Sequence, residues 1–428
     1  MGHLRLRVVI VHNRDFDLSP SPGSSPALTP ETDALDPELA SKADVMNAAR
    51  EVSAALAARG HQSILLPIGG AKNGSPAEAA LEALAELRRL APDLVFNLCE
   101  SLGGDNRHEA VLPALLDLAG LPYTGSGPLA LGLALRKDAT KRLLVAHGVP
   151  TPEAMALDSS DVSPVLDHPR LPFPLIVKPA REDASVGITR DSVVQGPSAL
   201  AARVAEVRAR YRQPVLVERY IEGRELYVSL LGNGATLAAL PMHEIDFSAL
   251  PADRPRIVTY DGKWVPGCDE YLGTTPVRAA LSPEARARCE QAARAAFFAL
   301  ELRDYARCDL RLAEDGTPYV IDVNPNCDLS ASAGVARAAS YGGLDYPELI
   351  ERICLAALAR TQLVKEPHVH RDRLAAVSPV DASPCGASAH PAPSAKRSRS
   401  ADGAGLAGRA VHDGGGGGRA RARRRRAR

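Results

Sequence analysis

The chain has 428 residues, of which 45% are hydrophobic, 24% charged and only 4% aromatic. That is enough for two or three folded domains with cores of Leu, Val and Ala, and it excludes a fibrous or wholly disordered protein. The formal net charge of zero hides an asymmetry: residues 391–428 carry eleven Lys or Arg against Asp402 and Asp413, a local +9 that leaves −9 on the other 390 residues, so the folded part does not read as a nucleic-acid binder.

No run nears the roughly 20 apolar residues of a membrane span, and the start, MGHLRLRVVIVHNRD, turns polar too early for a secretory signal. The expectation is a cytoplasmic protein without a membrane partner. Its seven cysteines are odd in number, scattered and without a CxxC, which argues against both a disulfide framework and a structural zinc site.

In chain order, Leu6 to His12 is a short apolar run suited to a buried parallel strand, and the Ser-, Pro- and Asp-rich stretch Asn13 to Pro37 reads as a long loop or disordered excursion. Ala43 to Arg59 has helical spacing and stops at Gly60. Ser63 to Pro67 is a strand, Pro76 to Leu90 a helix and Asp93 to Leu98 a strand, so an open α/β sheet is expected first. Such sheets carry functional loops at the carboxyl ends of their strands, which makes Glu100 and the glycines after it substrate-site candidates, although a plain turn explains the glycines equally well. Neither GxGxxG nor GxxxxGK[ST] occurs.

A helix around His108 to Ala119 follows, then LPYTGSGP, then one helix over 130–148 that carries Lys137, and the rigid connector VPTP. Pro174 to Arg190 gives a strand bearing Lys178 and a loop of small residues through Ser185 and Gly187. A lysine inside an apolar strand must find an anion, and loop amides beyond it can cradle phosphate oxygens. Pro197 to Tyr211 is a helix and Val215 to Tyr220 a strand, with Glu218 at its end and Glu225 after a glycine turn. The polar segment Asp246 to Thr275 carries Lys263 and Trp264, Pro283 to Leu300 is a helix, and Tyr346 to Arg360 is the last one. From 365 onward the composition shifts to Pro, Ser, Ala, Gly and Arg, a disordered basic tail and the chain's only route to nucleic acid.

Arg303 to Asn326 reads as two strands joined at Asp315-Gly316. Alternation puts Ala306, Cys308, Leu310 and Leu312 on one face of the first and Arg307, Asp309 and Arg311 on the other; in the second, Tyr319, Ile321 and Val323 oppose Val320, Asp322 and Asn324. With a two-residue turn, Asp309 lies across from Asp322 and Arg307 across from Asn324. Opposed carboxylates destabilise a sheet unless something compensates them, and two carboxylates plus an amide oxygen suit Mg2+ beside phosphate. The bland alternative is a solvated face on which Arg307 and Arg311 neutralise the acids.

Taken together, LPYTGS at 121–126, the Lys137 helix with VPTP, IVKPAREDASVGI at 176–188, LVERYIEGRELYV at 216–228, YDGKW around Lys263 and the ending VIDVNPN resemble, in order and spacing, the ATP-grasp enzymes of the D-alanine:D-alanine ligase group. The resemblance implies an ATP-grasp fold behind the N-terminal open parallel-sheet α/β domain: 1–128, a central subdomain 129–217, a C-terminal subdomain 218–364 with the metal site, and the tail 365–428. It implies ATP, two Mg2+ ions with Mn2+ as a substitute, amino-acid or peptide substrates and a homodimer.

By the same resemblance Lys137 and Lys178 serve the ATP phosphates and adenine side, Glu218 the adenine edge, Glu225 the ribose and Lys263 the transferred phosphate. Asp309, Asp322 and Asn324 become magnesium ligands, Arg307 stabilises an oxyanion or acyl phosphate, Ser185 joins the catalytic set, and Ser330 or Ser332 takes the acceptor carboxylate, with Asp246 to Thr275 as the lid. The implied reaction activates a carboxylate with the γ-phosphate of ATP and lets an amine attack the acyl phosphate. Several positions depart from the family pattern. Asp322 replaces a glutamate, Ala184 a serine, Trp264 its tyrosine partner, and HNRDFDLSPSP a Gly- and Ser-rich loop with a substrate-binding glutamate, for which Glu100 is the substitute. Two other readings are a ligase for other amino acids or a peptide, and a non-catalytic nucleotide-binding protein with a nucleic-acid-binding tail.

Overall fold

The structure is a computed structural model that describes residues 5–13, 37–69 and 75–365, so the loop expected from Asn13 to Pro37 and the basic tail lie almost wholly outside the described residues. β1 (Arg7–Asn13), α1 (Pro37–Ala58), β2 (Gln62–Ile68), α2 (Pro76–Leu90), β3 (Leu94–Leu98) and α3 (Val111–Ala119) form the first layer set, with a parallel sheet in the order β2-β1-β3. β1 is apolar on both faces because both are covered: Val8 and Ile10 pack with α1, while Val9 and Val11 pack toward α2 and α3. α2 starts where Ser75 and Glu78 close a reciprocal capping box.

Next come α4 (Pro128–Ala134), α5 (Lys137–Ala146), β4 (Ala154–Leu157), α6 (Ser163–Leu166), β5 (Leu175–Pro179), β6 (Val193–Val194), α7 (Pro197–Tyr211) and β7 (Val215–Arg219). Their sheet is antiparallel, ordered β4-β7-β5-β6. The single helix expected over 130–148 is two helices. Arg136 leaves the helical region at φ −100°, ψ 84°, and the Lys137 amide donates to Ala180 O instead of continuing the ladder. Lys137 therefore opens α5 rather than lying mid-helix.

The third sheet uses β8 (Arg224–Leu231), β9 (Ala238–Ala239) and β10 (His243–Asp246). After α8 (Tyr260–Trp264) and α9 (Asp269–Leu272) come β11 (Thr275–Arg278), α10 (Pro283–Ala299), β12 (Tyr305–Leu312) and β13 (Pro318–Asn324), and then α11 (Gly334–Tyr341) and α12 (Tyr346–Lys365). The order is β11-β10-β8-β12-β13, with β9 beside β8. Ala306, Cys308, Leu310 and Leu312 bury against α10, the core face expected from alternation.

The hairpin pairs Asp309 with Asp322 and Arg307 with Asn324, as expected, but by a different route. Its loop has three residues, Glu314 to Gly316: Ala313 N donates to Thr317 O, and Gly316, at φ +79°, donates to Ala313 O. That shifts the ladder by one, so Leu310 faces Val320, and an irregularity between Asp309 and Leu310 shifts it back. The bulge corrects the expected faces of β13: Val320 lies in the core with Val323, not on the face of Asp322 and Asn324.

Asp304 ties the layers together. Fully buried, it accepts hydrogen bonds from Gly125 N (2.9 Å), Asn233 Nδ2 (2.8 Å) and Arg360 Nη2 (3.1 Å). Removing one member of such a buried ion pair costs about 3–5 kcal/mol, so Asp304→Ala should lower the urea midpoint clearly; an unchanged midpoint would refute the assignment.

Candidate active site

The three sheets converge on a cleft of about 1270 Å³ lined by residues from each. Lys137, Lys178, Ser185, Glu218, Glu225, Lys263, Arg307, Asp309, Asp322, Asn324, Glu100 and Ser332 all line it. Ser330 does not: it is buried, and its hydroxyl donates to Asp328 Oδ2 (3.1 Å).

At one end, β12 and β13 present the paired carboxylates. Arg307 grips Asp309 with Nε (2.7 Å) and Nη2 (2.9 Å), while Asn324 Nδ2 approaches Asp309 at 3.3 Å. Burial pushes the Asp309 carboxyl above its ordinary range; Arg307 opposes this and Asp322 reinforces it. Lys137 Nζ bridges Asp322 (3.0 Å) and Asp183 (3.0 Å). Burial would raise Asp322 too, but Lys137 and Lys178 hold it below the usual carboxylate range. The like-charge pair is thus compensated by one cation per acid. Arg311, expected as a neutraliser here, points elsewhere: it meets Glu225 Oε2 at 3.0 Å and Gly223 O at 3.1 Å.

At the other end, Glu218 is 2% exposed and lies between Lys178 (2.6 Å) and Lys141 (2.6 Å). Glu225 is held by Arg311 and by the Tyr227 hydroxyl, which donates at 3.0 Å. Lys141 and Arg311 were missed as site residues. Lys141 carried a signal, since it follows Lys137 by four positions and so shares its helix face.

Between these ends stands the loop after β5. Ala184 and Ser185 take positive φ of 52° and 64°, and at Gly187, φ +76°, a Cβ would come within 2.5 Å of the Pro179 ring. Opposite lies the segment expected as a lid, which contains α8. Trp264 Nε1 donates to Ala184 O at 3.1 Å, and Tyr260 N to Ile188 O at 2.8 Å. Two departures from the family pattern therefore answer each other: an indole N–H reaches the backbone of residue 184, where no side-chain hydroxyl is present. Lys263 is exposed on the cleft with its ammonium 4.9 Å from the Trp264 ring centre; desolvation by the surrounding protein and the charge of Arg307 pull it below the ordinary lysine range.

Among the described residues no three His, Cys, Asp or Glu side chains cluster as a protein-only metal site, and no helix is long and apolar enough to cross a membrane. Two carboxylates and an amide oxygen nevertheless form a hard oxygen donor set that suits Mg2+ sharing ligands with phosphate and water.

The sequence model of a family described as "D-ala D-ala ligase C-terminus" matches residues 143–355. The D-alanine-D-alanine ligase of Cupriavidus metallidurans is 33% identical over 328 residues, covering 76% of this chain and 94% of that protein. An uncharacterized protein of Sinorhizobium fredii is 34% identical over 313 residues, covering 71% and 85%. The crystal structure of a D-alanine-D-alanine ligase from Bacillus anthracis complexed with ATP superposes with a TM-score of 0.61 at 21% identity, over 84% of this chain and 99% of that one, a likeness of fold. With that fold, and with a third of the aligned residues identical over nearly the full length of such a relative, the chain belongs to the D-alanine-D-alanine ligase family of ATP-dependent, ATP-grasp ligases.

Proposed function

We propose that the protein joins two amino acids by a peptide bond through an acyl phosphate, with D-alanine as both donor and acceptor. The observation that carries this reading is the opposed pair Asp309 and Asp322, each with its own cation, facing a cleft that also holds Lys178, Lys263 and Glu218. Asp309, Asp322 and Asn324 would hold Mg2+, which when bound neutralises charge on the triphosphate. Lys137 and Lys178 orient the phosphates, Glu218 accepts the adenine amino group, and Glu225, fixed by Arg311 and Tyr227, accepts the ribose hydroxyls. Lys263 faces the phosphoryl group in transfer, and Arg307 stabilises the oxyanion formed when the amine attacks. Glu100 and Ser332 face the amino-acid end.

An acyl phosphate hydrolyses if water enters, so the Trp264 contact with Ala184 has a chemical consequence. Trp264→Phe keeps the ring but loses the donor, and phosphate release without peptide product is expected to rise about three- to tenfold, the worth of one neutral hydrogen bond. A wild-type ratio of phosphate to product would show that the contact does not seal the cleft.

That contact also supports a second reading, in which the partners are other amino acids or a peptide, because the network around residue 184 is built differently from the family pattern. The test is phosphate release by the full chain with ATP and Mg2+ across D- and L-amino acids, singly and in pairs, with products weighed by mass spectrometry. D-alanyl-D-alanine supports the first reading, a different dipeptide replaces it with the second, and silence with every acceptor overturns both.

A further inference from the structure

Glu218 has more counter-charge than it needs. Its two oxygens meet two ammonium groups at 2.6 Å each, and all three side chains are at most 9% exposed. The two lysines are not equivalent. Lys178 lines the cleft and can reach a ligand, whereas Lys141 sits behind the wall, beside a void of about 10 Å³ shared with Lys137, Thr140, Leu144 and the bulged strand β13. It is not among the residues that line the cleft. Lys141 is also anchored: its ammonium donates to Thr151 Oγ1 (3.0 Å), and that hydroxyl donates to Val320 O (2.7 Å), while Val320 N donates to Pro150 O (2.8 Å).

We infer that Lys141 is a positioning residue, the permanent counter-ion of Glu218 that releases Lys178 to a nucleotide phosphate. The inference rests on the proposed nucleotide roles of Lys178 and Glu218. A buried carboxylate stripped of its only cation is strongly unfavourable. Without Lys141, Glu218 either retains Lys178, and the phosphate loses a cation, or gives it up and takes a proton, and the base loses its acceptor. With Lys141 in place neither happens. Because Thr151 holds both Lys141 and the bulge carbonyl, the clamp that steadies the base-binding carboxylate also holds the strand that carries Asp322.

The test is calorimetric binding of ATP and of inosine triphosphate, with Mg2+, to the full chain. Inosine presents an oxygen where adenine presents its amino group, so the ratio of the two affinities reads the state of Glu218, which a general loss of packing would not move selectively. Lys141→Met is expected to weaken ATP about ten- to a hundredfold, the worth of a charged hydrogen bond, and to bring the ratio toward one, while Lys141→Arg restores much of both. Thr151→Val should shift the ratio the same way by less, and Thr151→Ser should recover it. Wild-type ATP affinity and ratio in Lys141→Met overturns the inference; if that variant does not fold, an unchanged ratio in Thr151→Val does so. Failure of wild-type protein to bind ATP would instead sink the underlying functional reading.

Discussion

Asp309→Asn is expected to lower turnover by about a hundred- to a thousandfold, the scale on which a single electrostatic contact to a developing charge acts. The substitution keeps the shape of the side chain and its place opposite Asp322, but removes the charge proposed for the metal. Arg307, which now shares both its Nε and Nη2 with that carboxylate, would keep one acceptor oxygen. The fold should survive, since Arg307 borders the open cleft and can be rehydrated. Phosphate release under saturating ATP across a Mg2+ titration, with circular dichroism as the control for folding, checks it. Wild-type turnover at ordinary Mg2+ would remove Asp309 from the metal set.

Arg307→Lys should be nearly as damaging. The guanidinium uses two of its nitrogens on Asp309 and lies 4.9 Å from the Tyr227 ring, a planar arrangement that a flexible ammonium cannot reproduce. Turnover is expected to fall about a hundredfold or more, while the KM for ATP moves little, the pattern of a contact made in the transition state and not in the ground state. Equal rises in KM for ATP with intact turnover would show that Arg307 binds nucleotide and does not serve the oxyanion.

Much of the site was legible because its residues lie in short segments with strong local rules. Lys178 and Glu218 stand in apolar strands where an ionic group needs a partner, and the two proved to be each other's. Asp309 lines the cleft while its neighbours Cys308 and Leu310 lie in the apolar core, because strands alternate. Other features were not legible. Trp264 looked like the loss of a tyrosine, and only the approach of α8 to the backbone of residue 184 shows an indole donor in use. Lys141 was not singled out at all, because its partner Glu218, which it meets at 2.6 Å, lies 77 positions later in the chain.

The hairpin shows where the boundary lies. Alternation and turn chemistry act within a few residues, and they were enough for two strands, a core face of Ala306, Cys308, Leu310 and Leu312, and a carboxylate on each strand. The pairing of Asp309 with Asp322 was reached by assuming a two-residue turn and an unbroken ladder. In fact a three-residue loop moves the register by one, and a bulge moves it back. That bulge lies on an edge strand, and Val320 has its N–H and C=O bonded by Pro150 and Thr151, residues about 170 positions earlier in the chain. A backbone group that finds its partner so far away leaves no periodicity to read, so the register of the opposed carboxylates was decided by tertiary packing.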